Sequence, residues 1–207
     1  MSVAVLLVVA GYLAGSMPFG YWIVRLLRGE DIRLHGSGNI GGTNVWRSFG
    51  ARFAVPVILL DILKGLIPAL IASLTRGALV AVLTGAAAML GHWRPLFLRF
   101  RRGGKMVATC GGAVIGIAPL VAAVGVVVWA VVFVTGRYAS LASILAAVSL
   151  APAAILLGQP LLVIIFMGAA ALAIIWLHRA NIGRLARGQE HRFQLWRRFR
   201  RMSTGQV

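Results

Sequence analysis

Long runs of apolar residues, separated by short basic and glycine-rich segments, constrain this chain more than any other feature. The first run covers residues 3–27 and the last covers residues 161–177. In total 60% of the residues are hydrophobic, whereas soluble domains are about 45–50% apolar. A bilayer core of about 30 Å needs about 20 apolar residues per helix. The sequence therefore predicts an all-α, polytopic membrane protein, with residues 1–207 forming a single integral-membrane domain.

The longest apolar run, residues 107–135, decides the predicted topology. As one helix it would be about 43 Å long, and Pro119 near its middle disfavours a continuous helix. Its length fits either one crossing or a hairpin. With a hairpin, all basic residues except Lys64 and Arg76 fall on one side, which the positive-inside rule makes the cytoplasm. We therefore predict seven transmembrane helices with a hairpin break near Pro119, the N-terminus outside and the C-terminus in the cytoplasm.

The balance of charge limits the chemistry. The chain has 21 Lys and Arg against four Asp and Glu, a net charge of +17. In a membrane protein such an excess first reflects topology, and the remaining basic residues can hold anionic substrates, so we predict no nucleic-acid partner. We also predict no metal site, because a metal-dependent phosphotransferase needs several carboxylates or histidines as ligands and the chain has no acidic cluster. The basic tail at 197–207 is predicted to contact anionic membrane lipids.

A glycine-rich polar segment over residues 36–47 follows the first apolar run. It reads Gly-Ser-Gly-Asn-Ile-Gly-Gly-Thr-Asn-Val-Trp-Arg. Glycines let backbone amides approach a ligand closely, and successive amides form anion-binding nests. Arg47 at its end can hold a phosphate through two hydrogen bonds. A flexible loop is the alternative, but the density of Asn, Thr and Arg favours an anion site.

Two further segments carry charge next to or within apolar runs. Asp61 and Lys64 share one helix face, where they form a structural ion pair, support the loops above them, or do both. Gly103-Gly104-Lys105 precedes a helix, an arrangement typical of phosphate binding, although it is not a Walker A loop. His92 lies at the end of the preceding apolar run. A single histidine in such a position more often has a structural role than a catalytic one.

The last two segments place polar side chains at helix ends. Ser140 and Ser143 lie one turn from Arg137, and either serine could instead bond back to its own helix. His178 and Asn181 share a face after the last apolar run, where Asn181 could simply cap the helix.

Together these five segments, in this order, resemble the acyl-phosphate:glycerol-3-phosphate acyltransferase family. The resemblance spans Gly36 to Asn181. It implies a seven-helix fold in the bacterial cytoplasmic (inner) membrane, with the active site at the cytoplasmic face. The implied reaction transfers an acyl group from acyl phosphate to the 1-hydroxyl of glycerol 3-phosphate, giving lysophosphatidic acid and phosphate. No cofactor is implied, and the oligomeric state stays open, a monomer being possible.

The resemblance also implies roles for individual residues. The residues implied in catalysis are Ser37, Lys105, His178 and Asn181. The residues implied in holding substrate or phosphate are Gly36, Gly38, Asn39, Thr43, Asn44, Arg47, Gly103, Gly104, Arg137, Ser140 and Ser143. Structural support is expected from Asp61, Lys64 and His92. The backbone amides around Ser37 and at Gly103 and Gly104 are expected to cradle phosphate and the developing oxyanion, with either His178 or a substrate phosphate accepting the proton.

Two departures from the family pattern affect the loop before residue 107. Met106 stands where the family usually has glycine, and Arg101-Arg102 makes the loop one residue longer. If position 106 needs positive φ, methionine strains the backbone by roughly 1–3 kcal/mol. These departures leave open a catalytically inactive family member. Basic residues near the membrane surface and broken helices also leave open a transporter for an organic phosphate anion.

Overall fold

Helices joined by short loops make up the computed structural model, which describes residues 2–193. The helices are α1 (Val3–Gly15), α2 (Phe19–Arg28), α3 (Gly42–Phe49), α4 (Ala51–Trp93), α5 (Val107–Ile117), α6 (Pro119–Gly136), α7 (Ala139–Leu156), α8 (Leu161–Leu177) and α9 (Arg179–Ala186). The all-α prediction is confirmed for this part of the chain. The basic tail predicted at 197–207 lies outside the described residues.

Helix α4 consists of two arms that meet at Gly77, whose φ of 78° and ψ of −174° are not helical. The second arm packs against α1 where Gly15 meets the backbone of Ala88, a contact that an added Cβ would obstruct. The first arm packs against α5 through Gly65, which meets the backbone of Thr109. Small residues at these contacts allow the close helix packing that is common in membranes.

The long apolar run breaks at Ala118, immediately before Pro119, so the predicted break is confirmed. Proline occupies the first position of α6, where its missing N–H leaves no helical bond unmade. Helix α6 runs antiparallel to α7, because Trp129, later in α6, donates from Nε1 to Oγ of Ser143 at 3.3 Å, whereas Gly125, earlier in α6, faces Leu150, later in α7. The start of α5 lies at the same end of the molecule as the start of α7, because Asn181 contacts both Lys105 and Glu190, and Glu190 accepts from Ser140.

Four helical stretches within residues 2–193 are long and apolar enough to cross a membrane. They are Val3–Arg28, Ala51–Leu98, Pro119–Gly136 and Ala139–Leu156. Leu161–Leu177 and Arg179–Ala186, bent by 61°, make a fifth if they count as one span, and Val107–Ile117 is a shorter apolar helix. Large apolar side chains such as Leu156 and Leu172 face outward, which suits a lipid solvent.

Candidate active site

A cavity of about 530 Å³ lies where the polar loops meet helices α5 to α8. Its polar wall contains the Arg47, Lys105 and His178 side chains. Its apolar wall is formed by α5, α6 and α7 and includes Val126 and Leu150. The cavity thus joins a cationic region to an apolar channel.

Most of the predicted site residues border this cavity. Those that do are Ser37, Asn39, Thr43, Asn44, Arg47, Asp61, His92, Lys105, Ser140, Ser143, His178 and Asn181. Those absent from its wall are Gly36, Gly38, Lys64, Gly103, Gly104 and Arg137. The sequence motifs therefore converge on one place, with the glycines behind the surface that a ligand would touch.

Asn44 and Asn39 hold the first polar loop in shape. The Asn44 amide donates to the carbonyl of Asn39 at 2.8 Å and to that of His35 at 3.0 Å, while its oxygen accepts the Ser37 N–H at 2.9 Å. The Asn39 oxygen accepts the Gly41 N–H at 2.8 Å. The amides of Ser37 and Gly41 are therefore bonded within the loop, and so is that of Gly38, which donates to the His35 carbonyl at 3.0 Å. The Ser37 and Gly38 amides are thus not open to an anion, contrary to the nest that we predicted around Ser37.

The Gly103 and Gly104 amides are also occupied, so their predicted part as a phosphate cradle is wrong for this geometry. Gly103 N–H donates to the carbonyl of Trp93 and Gly104 N–H to that of His92, both at 2.9 Å. These bonds satisfy carbonyls at the end of α4 that have no partner within the helix. Glycine is needed here for space, because a Cβ at Gly104 would overlap the His92 ring. Asn39 then links the two loops by donating to the Gly103 carbonyl at 3.2 Å.

Met106 adopts the left-handed backbone conformation, with φ at 67°. The condition considered above is therefore met: position 106 has positive φ, and a non-glycine residue there costs about 1–3 kcal/mol of backbone strain. Its side chain is 4% exposed and packs in the core that contains Met89 and Ile174, so burial offsets the strain. The Arg101 and Arg102 side chains of the longer loop are exposed and lie outside the cavity wall.

Glu190 organises the cationic end of the cavity, and the sequence analysis did not assign it to the site. Its Oε1 accepts from Asn181 Nδ2 at 2.7 Å and from Ser140 Oγ at 2.9 Å, and its Oε2 accepts from Arg184 Nε at 2.7 Å. Arg47 lies 3.8 Å away across the same carboxylate. The sequence held one indication of its importance: Glu190 is one of only four acidic residues in the chain.

Lys105 joins this network through Asn181, whose Oδ1 accepts from the Lys105 ammonium at 2.5 Å. Burial lowers the pKa of Lys105 to about 8, Glu190 raises it, and Arg184 and Arg47 lower it further. Burial alone would raise the pKa of Glu190, but hydrogen bonds from Asn181, Ser140 and Arg184 keep it below its usual value. The Asn181 side chain thus bridges the Lys105 ammonium and the Glu190 carboxylate, and it does not cap a helix.

The hydrogen bonds of His178, Ser143 and Arg137 show which of their polar atoms remain open to a ligand. His178 Nδ1 lies 2.8 Å from the Ile174 carbonyl, so Nδ1 carries the proton and Nε2 is left as an acceptor. Ser143 Oγ donates back to the Ala139 carbonyl at 2.7 Å, the helix-internal alternative considered above. Arg137 forms the α6–α7 turn at φ 63°, and its carbonyl accepts the Phe193 N–H at 2.9 Å.

Residues 5–188 match the family model of glycerol-3-phosphate acyltransferases. The chain belongs to this family. A glycerol-3-phosphate acyltransferase from Aquifex aeolicus is 45% identical over 192 residues, covering 92% of this chain and 99% of its own. One from Desulforamulus reducens is 43% identical over 187 residues, covering 90% and 93%.

Two solved structures share the fold of this acyltransferase. Both are crystal structures of PlsY, an integral membrane glycerol 3-phosphate acyltransferase. The glycerol 3-phosphate form has a TM-score of 0.89 at 45% identity, covering 93% of this chain and 96% of the solved chain. The lysophosphatidic acid form has a TM-score of 0.86 at 43% identity, with the same coverage. The fold is therefore that of an integral membrane acyltransferase.

Replacing Glu190 by glutamine should change the pH dependence of acyl transfer. In the wild type we expect kcat/KM to fall as pH rises through about 8, because Lys105 loses its proton there. Removing the Glu190 charge removes an influence that raises the pKa of Lys105. The fall should therefore begin at lower pH in Glu190→Gln.

The control is Lys105→Arg, whose guanidinium stays protonated over this range, so the alkaline fall should be absent. Melting temperatures are measured alongside, since removing one partner of a buried ion pair costs about 3–5 kcal/mol. Identical alkaline limbs in the wild type and Lys105→Arg would contradict the assignment of this limb to Lys105.

Proposed function

We propose that this acyltransferase moves the acyl group of acyl phosphate onto the 1-hydroxyl of glycerol 3-phosphate, giving lysophosphatidic acid and phosphate. The observation that carries the proposal is the two-ended cavity of about 530 Å³, cationic at one end and apolar at the other. The cationic end suits the phosphates of both substrates, and the apolar channel suits an acyl chain. The substrate and product named for the two solved relatives agree with this assignment.

The phosphate contacts come from side chains that reach the cavity. Arg47 and Lys105 supply positive charge where burial strengthens each interaction with an anion. The hydroxyls of Ser37 and Thr43 also line the wall and can donate to phosphoryl oxygens. The first amides of α3, at Gly42 and Thr43, point out of the helix end and add two more donors.

The reaction then proceeds by direct attack. The glycerol 1-hydroxyl oxygen bonds to the acyl carbon, and the bond between that carbon and the phosphate oxygen breaks. His178 Nε2, left as an acceptor by the Nδ1 bond to Ile174, accepts the hydrogen bond of the attacking hydroxyl. The hydroxyl proton leaves with the phosphate group. Holding both reactants in one desolvated cavity, with Arg47 and Lys105 in its wall to stabilise developing negative charge, supplies the rate enhancement.

We further propose that residues 1–207 are one domain with seven crossings, an outside N-terminus and a cytoplasmic C-terminus, in the bacterial cytoplasmic membrane. The two arms of α4 and the break at Ala118 support separate crossings, because α4 contains 43 residues and one crossing needs about 20. The cavity and the basic loops then share the cytoplasmic face, in accord with the positive-inside rule.

Cysteine labelling in intact cells tests this topology. In a background where Cys110 is replaced by alanine, cysteines are placed at Leu120, which follows the break and is 69% exposed, and, separately, at Arg137. A membrane-impermeant maleimide added outside should label position 120 and leave position 137 unlabelled until the cells are permeabilised. Equal labelling of both positions in intact cells would contradict the hairpin.

Acyl transfer by the purified protein tests the proposed reaction. Palmitoyl phosphate and glycerol 3-phosphate are supplied, and phosphate and lysophosphatidic acid are followed together. We expect equal amounts of both products and a loss of about 100-fold or more in Lys105→Ala, since a buried charged hydrogen-bond donor is removed.

The matched control is Arg101→Ala, an exposed basic residue of the same loop outside the cavity wall, which should keep wild-type activity. A folded protein without turnover would favour an inactive family member. Uptake of glycerol 3-phosphate into proteoliposomes without an acyl donor would favour the transporter.

A further inference from the structure

A buried cluster formed by Asp61, Lys64 and His92 lies beneath the polar loops, and the mechanism above does not use it. The three residues are 2%, 5% and 3% exposed. Asp61 and Lys64 come from the first arm of α4 and His92 from the end of the second arm. Asp61 and His92 border the cavity.

The contacts of Lys64 determine which nitrogen of His92 carries the proton. Lys64 Nζ lies 2.7 Å from Asp61 Oδ1, 2.8 Å from His92 Nδ1 and 2.9 Å from the Met17 carbonyl. The contact with Asp61 is a close ion pair without the alignment of a hydrogen bond. An ammonium has three donors and no acceptor, so His92 Nδ1 must accept. The imidazole is therefore neutral with its proton on Nε2.

His92 Nε2 lies against the loop that carries Lys105. A Cβ built on Gly104 would overlap this nitrogen, so any residue other than glycine at position 104 would displace the His92 ring. Within residues 2–193 no protein group accepts a hydrogen bond from Nε2, and the His92 side chain borders the cavity. Leaving such a buried N–H unbonded is unfavourable. The donor is thus kept available for a ligand.

We propose that His92 binds substrate by donating Nε2–H to a phosphoryl oxygen held in the cavity beside Lys105. Lys64, held in turn by Asp61, is a positioning residue that keeps the proton on Nε2. The proposal rests on the proposed function for its ligand, and the phosphoryl oxygen can belong to the acyl phosphate or to glycerol 3-phosphate. Because the charges of Asp61 and Lys64 cancel and His92 is neutral, this donor adds no charge to a site already rich in cations.

The two cavity histidines thereby have opposite roles. His178 donates through Nδ1 to the Ile174 carbonyl and presents an acceptor, whereas His92 accepts through Nδ1 from Lys64 and presents a donor. The Ile174 carbonyl can only accept and the Lys64 ammonium can only donate, so each of them determines which nitrogen of its histidine is protonated. An acceptor suits an attacking hydroxyl and a donor suits a phosphoryl oxygen.

Two substitutions of His92 separate substrate binding from structural support. His92→Gln retains an N–H donor near the position of Nε2, whereas His92→Asn retains only an acceptor near Nδ1 for Lys64. We expect kcat/KM to fall about 10- to 100-fold in His92→Asn, the range for losing a hydrogen bond to a charged group, and only a few-fold in His92→Gln. The substrate whose KM rises in His92→Asn identifies the phosphate that His92 contacts. Equal losses in both variants at unchanged melting temperature would overturn the proposal.

Nitrogen-15 NMR of histidine-labelled wild-type protein in detergent tests the tautomer without substitution at the site. The His92 signals are assigned by their absence in His92→Gln. We expect a protonated Nε2 and an unprotonated Nδ1 for His92, a change in this ratio in Lys64→Met, and a shift of the Nε2 signal when inorganic phosphate is added.

A proton on Nδ1, or an Nε2 signal that saturating phosphate leaves unchanged, would overturn the proposal. This readout does not need turnover. A phosphate-dependent shift in a protein that transfers no acyl group would therefore contradict the proposed function and leave the His92 assignment standing.

Discussion

Positive charge buried at the end of an apolar helical bundle is the constraint on which the rest of this structure depends. Arg47 and Lys105 lie in the cavity wall, and Glu190 is the carboxylate that approaches both of them, directly or through Asn181. Burying charges without partners is strongly unfavourable. One carboxylate shared among several cations holds the site together and leaves positive charge for an anionic ligand, here proposed to be phosphate.

The helices make this arrangement possible because they bring separate loops into contact. The turn of α4 at Gly77 returns the chain to the same end of the bundle, so that the end of α4 can receive the Gly103 and Gly104 amides. Asn39 then joins the first loop to the second. The loops are thus fixed by hydrogen bonds within the protein, from backbone amides and from the Asn39 side chain, as preorganised electrostatic catalysis requires.

The sequence was enough to predict the membrane class, the break before Pro119 and the convergence of the motifs, because apolar runs and charge carry that information along the chain. It was not enough for contacts between loops. Gly103 and Gly104 carry the composition of a phosphate cradle, but their amides bond to α4, and composition does not reveal where an amide points. Glu190 could not be assigned to the site from the sequence for a similar reason. Its partners lie on α3, α7 and α9, and residue spacing along one helix does not reveal contacts with other helices.

A single-turnover experiment without glycerol 3-phosphate tests most directly the claim that this cavity transfers the acyl group straight from donor to acceptor. Purified protein is mixed with palmitoyl phosphate labelled in the acyl chain, and phosphate release and labelled protein are measured. Direct transfer predicts no burst of phosphate and no acyl group bound to the protein until glycerol 3-phosphate is added. A burst matching the enzyme concentration, with the label retained on the denatured protein, would contradict the account.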